Sequence, residues 1–325
     1  MILAIPYQKS YFFIVTEPSQ SFFKFHSITE NITMNKSQIF KNLITSPEIL
    51  VMPCCHDALS AKVLEQTGFK AIAAAGYGLS GSLLGKPDFG LLTATEMINQ
   101  YRNICSAVDI PVFVDIDTGY GDVHNVIRTV QECEKAGVAG LFIEDQVWPK
   151  RCGHMKGKKV ITTEEFIPKL KAALFARKNK DFIITARTDA VGVHGIAEGI
   201  RRAKLYAEAG ADMIFVEALH SLEDMKKVNT VLSRLNIPSM ANIVEGGQTP
   251  MLSSKELQDI GYNLVAYPCS TTFTAVKAIK DMAEFLLKNG TTSGYQDKML
   301  TFNEYYDFIE GDKIRLVEQE LTVCK

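Results

Sequence analysis

Residues 125–145 read NVIRTVQECEKAGVAGLFIED. The first part is amphipathic, with Val126, Val130 and Cys133 at helical spacing among polar side chains. It closes on Ala136-Gly137, a helix C-terminal signal, before the apolar run Gly140–Ile143 and the acids Glu144 and Asp145. A helix that feeds a buried strand ending in charge is one unit of an alternating chain, and the unit recurs. GIAEGIRRAKLYAEAG (195–210) also ends in Ala-Gly ahead of an apolar run. Eight such runs are present: Ile49–Pro53, Ala71–Ala75, Pro111–Val114, Gly140–Ile143, Phe182–Ala186, Met213–Val216, Pro238–Ala241 and Leu264–Tyr267. Spaced roughly 25 to 40 residues apart, they leave room for a strand, a helix and two loops each. Eight β-then-α units predict an α/β fold, a (β/α)8 TIM barrel; a doubly wound open sheet is the alternative. The Ala-rich second run is the least strand-like of the eight.

Composition agrees. With 325 residues, 46% apolar and 22% charged, the chain can bury a large core in one domain of either kind or in two smaller ones, and no linker splits the repeating region. A net charge of −2 gives no electrostatic footprint for nucleic acid or an anionic membrane. Seven cysteines at irregular spacing form neither a disulfide framework nor a C-x-x-C zinc pair, so a reducing, cytoplasmic setting is the simplest fit. No apolar run approaches the ~18 residues that span a bilayer. Residues 1–33 lack the basic start and long apolar stretch of a signal peptide, and composition changes at Met34, where MNKSQIFKNLI reads as an opening helix. The expected organisation is an extension of doubtful status over 1–33, a barrel over 34–290 and a helical tail over 291–325.

The residues that follow the runs carry the function. They are His56-Asp57, Gly76-Tyr77, Asp115-x-Asp117, Glu144-Asp145, Arg187-x-Asp189, Glu217, Asn242-x-x-Glu245 and Tyr267. In a barrel the C-terminal strand ends share one face, where active sites form. Helix capping is the competing role, and it is the better account of Asp57 ahead of ALSAKVLEQTG. Caps alone are a strained account of so many charged or amide-bearing strand ends.

VFVDIDTGYGD (112–122) places Asp115 and Asp117 at one strand end, and Glu144 arrives from the next. Packed carboxylates repel, so they must take up protons or hold a cation. Oxygen ligands without His or Cys favour Mg²⁺, or Mn²⁺, over zinc. Solvated acids in a Gly-rich loop are the other reading. A second stretch, EDQVWPKRCGHMKGKKV (144–160), puts Cys152 in a polar loop with Lys150, Arg151 and His154 beside it. Cationic neighbours lower a thiol's pKa towards neutrality, where it can exchange a proton with substrate.

Together, VDIDTGYGD, IEDQVWPKRCGHMKGK, ARTDA, FVEAL and ANIVEGGQTP resemble the isocitrate lyase / phosphoenolpyruvate mutase superfamily, from about residue 36 onward. The resemblance implies a barrel whose eighth helix is exchanged between subunits, a homotetramer with the 291–325 tail on a neighbouring subunit, Mg²⁺ and a mobile catalytic loop. By position it implies Asp115 and Asp117 at the metal, with Glu144 through water, and Cys152 as the acid/base. Gly153 and His154 beside it would touch substrate; Arg187, Glu217 and Asn242 would hold carboxylate and hydroxyl groups. Where the family usually has Ser or Thr ahead of a glycine, this chain has Ala75-Gly76-Tyr77, which keeps the backbone donors and loses the hydroxyl.

Members with the Cys-Gly-His loop are carbon–carbon lyases for small 2-hydroxy di- or tricarboxylates, whereas phosphonate mutases generally lack that cysteine. The resemblance is nearest to the branch of petal-death proteins and 2,3-dimethylmalate lyases, through DQVWPKRCGHMKGK, EGGQTP and KNGTT. Methylisocitrate-cleaving members carry arginines where this chain has Phe273 and Phe302. A substituted malate cleaved to pyruvate or another 2-oxo acid is therefore expected, with oxaloacetate hydrolysis as a possible side activity. 2-Methylisocitrate cleavage, or a carboxyphosphonoenolpyruvate phosphonomutase-type reaction, is the alternative.

Overall fold

The computed structural model describes residues 34–153, 155 and 157–322. The expected extension over 1–33 and the candidate His154 lie outside the described residues. All eight runs are strands: β1 Leu50–Cys55, β2 Ile72–Ala74, β3 Val112–Asp115, β4 Gly140–Glu144, β5 Ile183–Thr188, β6 Met213–Val216, β7 Ser239–Asn242 and β8 Leu264–Tyr267. They pair in parallel in sequence order and close through β1 and β8 into a barrel, which removes the open-sheet alternative. The Ala-rich β2 is the shortest, at three residues.

Strand alternation sorts the side chains into two cores. Val112, Val114, Leu141, Ile143, Ile184 and Ile214 face the surrounding helices. Phe113, Phe142, Ile183, Phe215, Met240 and Ala73 fill the barrel interior. The opening helix Lys36–Ile44, capped by the Asn35 side chain, closes the bottom. Its Phe40 is fully buried and stacks on Phe113 with ring centroids 5.2 Å apart.

The helix signals read from sequence are borne out locally. Asp57 caps Ala58–Thr67, accepting from the Ser60 N–H in a capping box. Gly137 and Gly210, after Val123–Lys135 and Ile196–Glu208, sit at φ +89° and +103°, conformations glycine adopts without a Cβ clash. Beyond β8, Ser270–Asn289 has no buried residue, and neither do Phe302–Phe308 and Gly311–Thr322. No helix among the described residues is long and apolar enough to cross a membrane.

Candidate active site

The inward phase of each strand runs on past its last core residue. Two positions beyond Phe113 comes Asp115; beyond Phe142, Glu144; beyond Phe215, Glu217; beyond Met240, Asn242; beyond Ala73, Ala75. Arg187 takes the same phase on β5, two after Thr185. The periodicity that packs the barrel thus delivers the polar residues to its mouth. There Asp115, Arg187, Glu217, Asn242, Ala75 and Tyr77 line one cavity with Cys152 and Gly153 of the β4 loop.

Arg187 is the hub. Its Nε and Nη2 donate to Asp189 at 2.8 and 3.2 Å, and Nη2 lies 3.5 Å from Glu217 Oε2. The guanidinium sits over Phe215 and Phe142, 5.1 and 5.7 Å from their ring centroids. Burial works to discharge it, but Asp189, Glu144 and Glu217 more than offset that and hold it charged. Glu217 Oε2 accepts from Asn242 Nδ2 at 3.0 Å and Oε1 from the Ala218 N–H at 2.7 Å.

The acids are arranged differently from the expected bare triad. β3 ends at Asp115, and Asp117 lies beyond the strand with a left-handed backbone of its own at φ +49°, so strand alternation does not set its direction. Asp115 lines the cavity; Asp117 and Glu144 lie buried outside its wall. A cation already stands among them. Lys150 Nζ is 2.8 Å from Asp117 Oδ1 and 2.7 Å from Asp88 Oδ2, so two carboxylates hold this lysine. Burial would discharge Lys150, but Asp117 and Asp88 hold it protonated. Among the described residues, no three His, Cys, Asp or Glu converge as a metal cage.

Three carboxylate oxygens are nonetheless left over. Asp117 Oδ1 and both oxygens of Glu144 are buried without a hydrogen bond. Asp117 Oδ1 is at ion-pair distance from Lys150 without hydrogen-bond geometry. Glu144 Oε2 lies 3.1 Å from Arg187 Nε, whose single N–H is already directed at Asp189. Burial pushes Glu144 well above the carboxylate range, and Arg187 only partly opposes it. Hard oxygens that make no hydrogen bond beside Asp115 fit a Mg²⁺ site that uses few direct protein ligands.

The loop bearing Cys152 is half-buried at the cavity, and five other cysteines (54, 55, 105, 133 and 269) are buried, none in a disulfide. Gly153 faces Arg187 and Glu217. At β2, Ala75 precedes the helix Gly76–Leu84 without a side-chain cap, as the missing hydroxyl implies. The Gly76 N–H points to Asp115 Oδ2 at 3.4 Å, so this donor is partly spent inside the protein.

Asp88 escaped the sequence reading, and Lys158 is legible there only as one of the cations that follow Cys152 in the 144–160 stretch. Asp88 follows the helix after β2, beyond the residues immediately past the strand. Its signal was an acid in the polar GKPDFG segment (85–90) on the same barrel face.

The phosphoenolpyruvate phosphomutase family model matches residues 40–287, most of the chain. The chain belongs to this family, within the phosphoenolpyruvate mutase / isocitrate lyase superfamily. It is 46% identical to 2,3-dimethylmalate lyase of Eubacterium barkeri over 88% of this chain and 98% of that one. It is 43% identical to the chloroplastic carboxyvinyl-carboxyphosphonate phosphorylmutase of Arabidopsis thaliana, over 84% and 81%. Among solved structures, oxaloacetate acetylhydrolase in complex with 3,3-difluorooxalacetate superposes with a TM-score of 0.82 at 29% identity, covering 88% and 97%. As a member of this carbon–carbon lyase and mutase superfamily, with relatives named as lyases, the chain is an enzyme.

Proposed function

We propose that this superfamily member cleaves a substituted malate, such as 2,3-dimethylmalate, to a 2-oxo acid and a carboxylate. The observation that carries the reading is the meeting of Cys152 and Gly153 with Arg187, Glu217, Asn242 and Asp115 at one cavity. Similarity to 2,3-dimethylmalate lyase supports it. Arg187, pinned by Asp189 and flanked by rings, presents a fixed cation to a substrate carboxylate. Glu217 and Asn242, bonded to one another, offer an acceptor and an amide to the C2 hydroxyl and its carboxylate. As the C2–C3 bond breaks, the hydroxyl loses its proton and C2 becomes the ketone. The bonding pair stays on C3 as an enediolate, and the Cys152 thiol delivers a proton there; the thiolate is then reprotonated through solvent by the equivalent of the proton the hydroxyl released, so none is gained or lost overall. Asp115 and Asp117, with Glu144 behind them, would hold Mg²⁺, which supplies Lewis-acid polarisation of the 2-hydroxy carboxylate.

Substrate size follows from the wall. Among the described lining residues the cations are Lys150 and Arg187, and Lys150 is held by Asp88 and Asp117. Met52, Phe113, Met240, Val244 and Pro268 line the same cavity, and Phe273 meets the lining Tyr77 edge-on at 6.0 Å. A third substrate carboxylate would be desolvated without a partner. Release of the 2-oxo acid from 2-methylmalate, 2,3-dimethylmalate, 2-methylisocitrate, isocitrate and oxaloacetate tests the reading. No turnover of either malate sinks it. The similarity to a phosphorylmutase favours a second reading, phosphonate chemistry, whose sign would be P–C bond turnover that survives Cys152→Ser.

The tail belongs to the same proposal. Phe302, Ile314 and Leu321 are 84%, 70% and 77% exposed, and this apolar surface suits packing on a second copy in a homotetramer. Light scattering on the purified protein reads the state, and a monomer rejects it.

A further inference from the structure

The loop between β4 and the helix Thr163–Ala176 has a stem and a tip. In the stem the Val147 N–H donates to the Lys159 carbonyl at 2.8 Å, and Gln146 pairs with Val160 in an antiparallel bridge. Gln146 also braces the approach to the tip, donating to the Arg151 carbonyl at 2.8 Å and accepting from its N–H at 3.0 Å. The tip carries Cys152 and Gly153.

Lys158 turns inward from this loop, its side chain only 4% exposed. Its ammonium donates to the Gly153 carbonyl, and to Asp189 Oδ1 at 2.7 Å. Asp189 is itself immobilised, forked onto Arg187 and with its N–H donating to Asp145 Oδ1 at 2.9 Å. One ammonium therefore joins the backbone next to Cys152 to the carboxylate that orients Arg187.

We propose that Lys158 is a positioning residue, a latch that holds the Cys152–Gly153 tip against β5 through Asp189. Glycine at 153 has no side chain with which to anchor the tip, so the carbonyl contact supplies its hold on the β5 side, beside the Cys152 N–H that donates to the Asp88 carbonyl at 3.3 Å. A neutral side chain at 158 leaves the Gly153 carbonyl without this donor and Asp189 with Arg187 as its remaining cation. The thiol then loses its fixed distance from the substrate carbon, while Arg187 keeps its partner. Proton delivery suffers more than binding. Arginine at 158 can still donate to both oxygens and restores part of the effect.

The experiment compares wild type, Lys158→Met, Lys158→Gln and Lys158→Arg. Alkylation of Cys152 by iodoacetamide, followed by peptide mass spectrometry, reads the latch directly and needs no assumption about the reaction. An opened tip exposes the thiol, and Lys158→Met and Lys158→Gln should alkylate roughly tenfold faster, with Lys158→Arg between them and wild type. The kinetic arm rests on the lyase reading. There kcat should fall on the order of 10- to 100-fold with KM changed far less, and Lys158→Arg should recover part of kcat. If Lys158→Met does not fold, Lys158→Gln and Lys158→Arg carry the comparison. Unchanged alkylation in the folded neutral variant overturns the latch, as does a loss confined to KM. A wild type inactive on every malate overturns the lyase reading alone, and alkylation still decides the latch.

Discussion

Gly153 and Arg187 are in van der Waals register: a Cβ built on the glycine would stand 2.5 Å from Arg187 Nη2 and 2.5 Å from Glu217 Cγ. Neither neighbour can retreat cheaply, because Arg187 is tied to Asp189 and Glu217 to Asn242. Gly153→Ala should therefore lift the loop tip off the barrel. The expected result is a loss of kcat on the order of 100-fold, as for a misplacement of about 1 Å. Thermal stability should hardly change, since the loop lies outside the core. Turnover and calorimetry on the same sample check both halves.

Arg187→Lys keeps the charge and loses the fork. Lysine cannot bridge Asp189 in two places while facing a substrate carboxylate, nor spread over Phe142 and Phe215 as a planar cation does. The expected cost in kcat/KM is on the order of 10²-fold, about 3 kcal/mol.

Removing divalent metal should abolish activity, and Mg²⁺ or Mn²⁺ should restore it. Asp115→Asn should weaken Mg²⁺ binding in calorimetry while the circular dichroism spectrum is retained. Full turnover in EDTA would exclude the metal from the proposal.

Phe273→Arg tests substrate choice. It replaces a ring packed edge-on against Tyr77 with a cation beside the cavity. The ratio of kcat/KM for 2-methylisocitrate over 2,3-dimethylmalate should rise roughly tenfold. Phe302 lies elsewhere in the single chain, 84% exposed, so Phe302→Arg should add to that ratio only where a neighbour's tail reaches the mouth. An unchanged ratio means that position 273 does not read the substrate.

Phe40→Ala tests the plug at the other end. A fully buried ring stacked on Phe113 should cost about 3–5 kcal/mol when removed, measured by urea unfolding. Because Phe40 is far from the mouth, kcat of the folded fraction should be unaffected.

The barrel was legible because its signals are local and periodic. Each apolar run, each Ala-Gly helix ending and the cap at Asp57 depend on neighbours within a few residues, and all reappear in the structure. Asp115, Arg187, Glu217 and Asn242 were legible for the same reason, each two residues past an inward-facing position. Long-range ion pairs were not. Lys150 meets Asp88 across 62 positions and Lys158 meets Asp189 across 31, and no spacing rule announces such partners. Beside the thiol in sequence, Lys150 read as its activator; in space its charge is taken by two carboxylates. Asp117 shows the limit of alternation itself, since its turn begins where the strand ends.

The unbroken inward column from Phe113 to Asp115, and from Phe215 to Glu217, bears on how such a chain can change over evolutionary time. A one-residue insertion in β3 or β6 would exchange greasy and reactive side chains together, damaging fold and chemistry in a single event. Tyr77 and Phe273 are under no such tie: each sits in the first turns of a helix that leaves a strand end. New substrate preferences can accumulate at those positions one point mutation at a time, while the bond-breaking apparatus stays welded to the architecture that carries it.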